Sequence, residues 1–109
     1  MDQLDTQMQT ADVVVAAIAL SASTRGIVKS GLMKPDAVLV NISRGPVVEW
    51  SGSRAAVLDV FDQEPLGENS PLWDAEDVIV TPHNAFVGDG NGQRLWNMIR
   101  ENIVQKTDE

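Results

Sequence analysis

Apolar residues gather in four short runs along the chain: "ADVVVAAIAL" (11–20), "AVLVNI" (37–42), "RAAVLDVF" (54–61) and "DVIVT" (77–81). Each is continuous rather than alternating and rich in β-branched side chains, the pattern of strands covered on both faces in a parallel sheet. Between the first two, "SASTRGIVKSGLMKPD" offers capping residues at Ser21 to Thr24 and apolar Ile27, Val28, Leu32 and Met33 near helical spacing. It predicts a helix that stops before Pro35. "DQEPLGENSPLWD" is punctuated by Pro65, Gly67 and Pro71 and predicts a loop with a short helical turn at 72–75. In the tail, Gly88, Gly90 and Gly92 delay a final helix whose Leu95, Met98, Ile99, Ile103 and Val104 fall close to one face. Strands alternating with helices predict an α/β fold, a partial Rossmann-like parallel sheet with flanking helices. Residues 1–10 form a polar leader, and residues 11–109 a single domain.

Composition narrows the classes. A length of 109 residues allows one small core, and 43% hydrophobic with 22% charged residues is a globular balance. The longest apolar run is too short to cross a bilayer and the amino terminus lacks a basic flank, so the expectation is a cytoplasmic protein without a membrane partner. A formal net charge of −8 argues against nucleic acid as a partner. The chain has no cysteine and one histidine, which excludes thiolate chemistry and predicts no metal site.

In open parallel sheets, ligands collect at the carboxyl ends of strands. Arg44 follows the second run, Glu64 lies beyond the third, and His83 follows the fourth. A forked cation for a carboxylate and a histidine oriented by a glutamate would together make an anion-orienting proton donor. Spacing alone leaves other readings open: Arg44 as a solvated loop residue, Glu64 as a surface turn before Pro65, His83 as a loop residue. Asp59, inside an apolar run, needs a partner if buried, unless it simply ends the strand. Trp73 and Leu72 read as a plug of the loop onto the core, and Trp96 as core or interface.

The phrases "ADVVV", "STRGIV", "LMKPDAVLVNISRGPVV", "LDVFDQEPL", "SPLWD" and "VIVTPHNAF" occur in an order that resembles the NAD-dependent D-isomer-specific 2-hydroxyacid dehydrogenases, over residues 11–86. The resemblance implies the second half of the nucleotide-binding domain, with NAD as cofactor and a small 2-keto or 2-hydroxy acid as substrate. It implies that Arg44 binds the substrate carboxylate, His83 donates the proton and Glu64 holds His83. It also implies that Asp59 meets the nicotinamide amide, with Ile42, Ser43 and Ala85 on the cofactor. The sequence departs from that family in lacking a G-x-G-x-x-G loop and a separate substrate domain, in a short link between "RGPVV" and "AAVLDVF", and in Ala19 where a proline is usual. The short link makes the third strand the one most exposed to displacement. These departures predict a fragment or shortened form, inactive alone, or a non-catalytic α/β scaffold, with unpaired sheet edges that favour a homo-oligomer.

Overall fold

The computed structural model describes residues 3–52 and 55–107. The chain runs through helix α1 (Gln3–Thr10), strands β1 (Val13–Ala16), β2 (Val28–Lys29), β3 (Val38–Asn41), β4 (Val48–Glu49), β5 (Ala55–Leu58) and β6 (Val78–Val80), and helix α2 (Asn91–Thr107). Strands β1, β3, β5 and β6 form one parallel sheet in that spatial order, with Asn41 level with Leu58 and Leu58 level with Val80. The α/β fold with a parallel, partial Rossmann-like sheet is therefore as the apolar runs predict. Strand β5 keeps its place between β3 and β6 despite the short link before it. Arg54, which heads its run in the sequence, lies outside the described residues, as do Met1, Asp2, Ser53, Asp108 and Glu109.

Two expectations are corrected. No α-helix forms between β1 and β3. Gly26 turns the chain in the left-handed region, at φ +64°, with its amide donating to the Pro46 carbonyl at 2.8 Å. That turn aims Val28 and Lys29 into parallel pairing with Val48 and Glu49, and only a 3₁₀ turn, Ser30–Leu32, follows. The apolar residues there are adjacent pairs, 27–28 and 32–33, which suit a strand bridge and its following turn better than a helical stripe. The second correction concerns the strands, which are covered on one face only. Met8, Ala16, Leu39, Ala56 and Leu58 are buried in one cluster with Val28, Met33, Ala37 and Val47, whereas Val13 and Val15 are each 54% exposed. The sheet grows in one direction, and right-handed crossovers that all step the same way land on the same face.

Residues 3–10 pack α1 onto that covered side through Leu4 and the buried Met8. Leu72 packs on the core as its loop requires, from a 3₁₀ turn at Pro71–Trp73, but Trp73 is 52% exposed and its indole donates to the Gly67 carbonyl at 2.8 Å. Trp50 also packs against the core. Helix α2 follows β6 as predicted, yet none of its residues is buried and Trp96 is 60% exposed. Among the described residues, no helix is long and apolar enough to cross a membrane.

Candidate active site

Three loops leave the carboxyl edge of the sheet at the same level, after Asn41, Leu58 and Val80. The first is shaped by Asn41, 1% exposed, whose amide oxygen accepts from the Ser43 amide at 3.1 Å and the Ser43 hydroxyl at 2.8 Å while its amide nitrogen donates to the Arg44 carbonyl at 3.1 Å. This loop buries Ser43, leaves Ile42 42% exposed and presents an exposed Arg44, whose guanidinium donates to the Ser43 carbonyl at 2.7 Å. The next residue, Gly45, has the backbone of Phe61 and Asp62 directly where a Cβ would stand. Only glycine lets the first loop lie against the second.

In the second loop, Glu64 accepts the Phe61 amide at 3.1 Å through one oxygen and meets His83 Nδ1 at 2.7 Å through the other. Its carboxyl is held below the ordinary value, first by the bond from His83, then by the Phe61 amide, with the charges of His83 and Arg44 adding to the effect against a smaller cost of burial. Among these influences on Glu64, the charge of Arg44 is the smallest.

The third loop carries His83 at φ +52°, a left-handed backbone that a side chain disfavours, and the ring is half-buried with the Phe86 ring edge-on at 6.2 Å. Asp59 holds this shape. It is 2% exposed, and its carboxylate accepts the Thr81 hydroxyl at 2.6 Å, the Asn84 amide at 2.9 Å and the Ala85 amide at 3.1 Å. Burial, the largest single influence, pushes the Asp59 carboxyl up, but those three bonds and the nearby His83 together bring it below the ordinary value. A strained histidine is thus clamped on both flanks by a buried carboxylate from the neighbouring strand.

The structure brings Arg44, Glu64 and His83 to one edge, with Ile42 and Ser43 beside Arg44 and with Asp59 and Ala85 joined beneath His83. Two positioning residues were not singled out from the sequence, Asn41 and Thr81. Both are polar residues at the last position of an apolar run or just past it, which is the signal that could have marked them. A cavity of about 420 Å³ lined by Ala17, Ile18, Ala19, Leu20, Ser43 and Arg44 flanks the first loop. Its wall is apolar apart from Ser43 and Arg44. The sequence supplies no G-x-G-x-x-G loop for the pyrophosphate. Among the described residues, no cluster of potential ligands could hold a metal ion.

Comparisons with known proteins agree with this geometry. The sequence profile of the D-isomer specific 2-hydroxyacid dehydrogenase NAD binding domain matches residues 1–85. A glyoxylate/hydroxypyruvate reductase B of Salmonella newport is 37% identical over 108 residues, covering 88% of this chain and 32% of the relative, so the chain spans about a third of the length of such curated relatives. The crystal structure of a D-isomer specific 2-hydroxyacid dehydrogenase family protein from Aeromonas salmonicida superposes with a TM-score of 0.81 at 30% identity, over 96% of this chain and 37% of that one. A D-isomer specific 2-hydroxyacid dehydrogenase from Xanthobacter autotrophicus, solved with NADPH and MES, gives 0.66 at 37% identity, over 73% of this chain and 30% of that one. The chain belongs to the D-isomer specific 2-hydroxyacid dehydrogenase family, within its NAD-binding domain.

Proposed function

We propose that the carboxyl edge of the sheet carries the carboxylate-binding and proton-handling part of a D-2-hydroxyacid dehydrogenase site, and that the 109 residues alone bind dinucleotide weakly and do not turn over. The observation that carries this reading is the 2.7 Å bond between His83 Nδ1 and Glu64, in the field of Arg44. With Nδ1 engaged by the Glu64 carboxylate, Nε2 is the nitrogen left to meet a substrate oxygen. Arg44 takes the carboxylate of a small 2-keto acid through its fork of donors and so fixes the ketone near His83. His83 then gives its Nε2 proton to the ketone oxygen as the carbon accepts hydride, and a 2-hydroxy acid results; in the reverse direction His83 takes that proton back. When bound, a reduced nicotinamide supplies the hydride.

Ile42, Ser43 and Ala85 would line the nicotinamide end of the site. For Asp59 to meet the nicotinamide amide it must share an oxygen already bonded to Thr81, Asn84 or Ala85, so its stronger role is to hold the His83 loop. Without a pyrophosphate loop the ring is poorly oriented, and lost orientation alone can raise a barrier by on the order of 7 kcal/mol.

The test uses the 109-residue chain with NADH and glyoxylate or hydroxypyruvate, followed by nicotinamide absorbance, beside an NMR titration with oxamate, a non-reacting keto-acid analogue. We expect no sustained oxidation, and oxamate shifts at Arg44 and His83 that vanish in Arg44→Leu. Oxamate binding indifferent to Arg44→Leu overturns the assignment of the residues. Steady turnover lost in His83→Gln upholds those residues and overturns the claim that the chain is inactive alone.

A further inference from the structure

The carbonyl of Arg44 and the amide of His83 are joined by an unbroken line of hydrogen bonds across the ends of three strands. Asn41 Nδ2 donates to the Arg44 carbonyl at 3.1 Å, and the Asn41 carbonyl accepts the Asp59 amide at 3.0 Å. The Asp59 carboxylate accepts the Thr81 hydroxyl at 2.6 Å, and the Thr81 carbonyl accepts the His83 amide at 3.1 Å. Asn41 and Asp59 are 1% and 2% exposed, so the middle of this line is shielded from water.

Thr81 is where the line turns toward the histidine. Its amide donates to the Leu58 carbonyl at 3.0 Å, its hydroxyl sits on Asp59, and its carbonyl closes a three-residue turn over Pro82 onto His83. Proline fixes its own φ, so the orientation of Thr81 sets the direction in which the chain enters His83. The Asp59 oxygen that takes the Thr81 hydroxyl also takes the Asn84 amide at 2.9 Å, on the far side of the histidine. One carboxylate oxygen therefore grips Thr81 and Asn84 and holds His83 between them at φ +52°. Without the hydroxyl, that oxygen holds the far flank only, and the strained residue between is free to relax to a commoner backbone that carries Nδ1 off Glu64.

We propose that Thr81 is a positioning residue for His83: its hydroxyl, through Asp59, and its carbonyl aim the imidazole at Glu64 and keep it at a set distance from Arg44. The consequence for a keto acid rests on the roles proposed for Arg44 and His83; the consequence for the ring does not.

The chain has one histidine, so NMR reads its ring nitrogens without overlap. In alkaline solution a free neutral imidazole carries its proton mostly on Nε2, whereas a ring whose Nδ1 faces a carboxylate keeps it on Nδ1. The whole 109-residue chain is expected to show the Nδ1–H form, with Glu64→Ala giving the free-ring pattern. Thr81→Ala and Thr81→Val are expected to move the ring toward that free pattern and to weaken oxamate binding about tenfold. Thr81→Ser, which differs from Thr81→Ala by the hydroxyl alone, is expected to recover both. A lower urea midpoint with the nitrogen pattern and oxamate affinity of the folded chain unchanged makes Thr81 merely structural and overturns the proposal. So does a Thr81→Ser chain that behaves as Thr81→Ala. If Thr81→Val does not fold, the alanine and serine variants decide between them. If the unaltered chain does not bind oxamate, the roles proposed for Arg44 and His83 fail, while the nitrogen pattern still decides Thr81.

Discussion

At the scale of single residues, the site is an arrangement of buried acceptors that set exposed donors. Asp59 does this most plainly, since one carboxylate fixes three groups flanking His83. Replacing it by alanine leaves the Asn84 and Ala85 amides without their partner and is expected to cost about 3 kcal/mol in urea denaturation. The folded-state pKa values of Asp59 and Glu64 both lie below their ordinary values. Their stabilisation is therefore complete above the ordinary carboxylate range and is lost as pH falls through the depressed values, below about pH 4. Acid titration of unfolding should show this loss, and Asp59→Asn should flatten it. The positive φ of His83 makes a separate prediction. His83→Asn, which tolerates the left-handed region, should be about 1–2 kcal/mol more stable than His83→Val in the same measurement.

Among the elements, β3 displays the one-sided core within a single strand. Leu39 is 0% exposed on the covered face while its neighbour Val40 points to the bare one. Leu39→Ala should cost about 2–5 kcal/mol and Val40→Ala less than about 1, compared by urea midpoints at dilution. Gly45→Ala tests the contact between the first two loops: it should cost about 1–3 kcal/mol by overpacking and lower the melting temperature accordingly. Much of this was legible in the sequence. The four strands and the order of the site loops follow from the apolar runs and the polar residues after them, whereas spacing alone leaves Glu64 and His83 open and only the family resemblance implies their pairing. The β2–β4 bridge was not, because Ile27 and Val28 near Leu32 and Met33 imitate helical spacing, and only Gly26 at its left-handed turn betrays the strand. The bare face was also hidden, since a continuous valine run states that a strand can be covered on both sides without saying that it is.

For the whole molecule, a one-sided sheet with a projecting helix gives a long body of 54 × 37 × 24 Å and a radius of gyration of 17.4 Å, against about 13 Å for a compact domain of this length. Since α2 buries none of its own residues, a chain ending at Gly90 should keep the urea midpoint of the sheet, with only helical circular dichroism lost. The common level at which β3, β5 and β6 end also bears on how this sequence can change in length. One residue inserted within any of those strands would turn its side chains over to the opposite face and advance its loop by about 3.3 Å past the others, separating Arg44, Glu64 and His83. Residues 66–70, which follow Glu64 and precede the Pro71–Trp73 turn, stand outside that alignment. Gains and losses of residues are therefore permitted in that loop and forbidden in the strands, so the spacing that matters from Asn41 to His83 is counted along the sheet rather than along the chain.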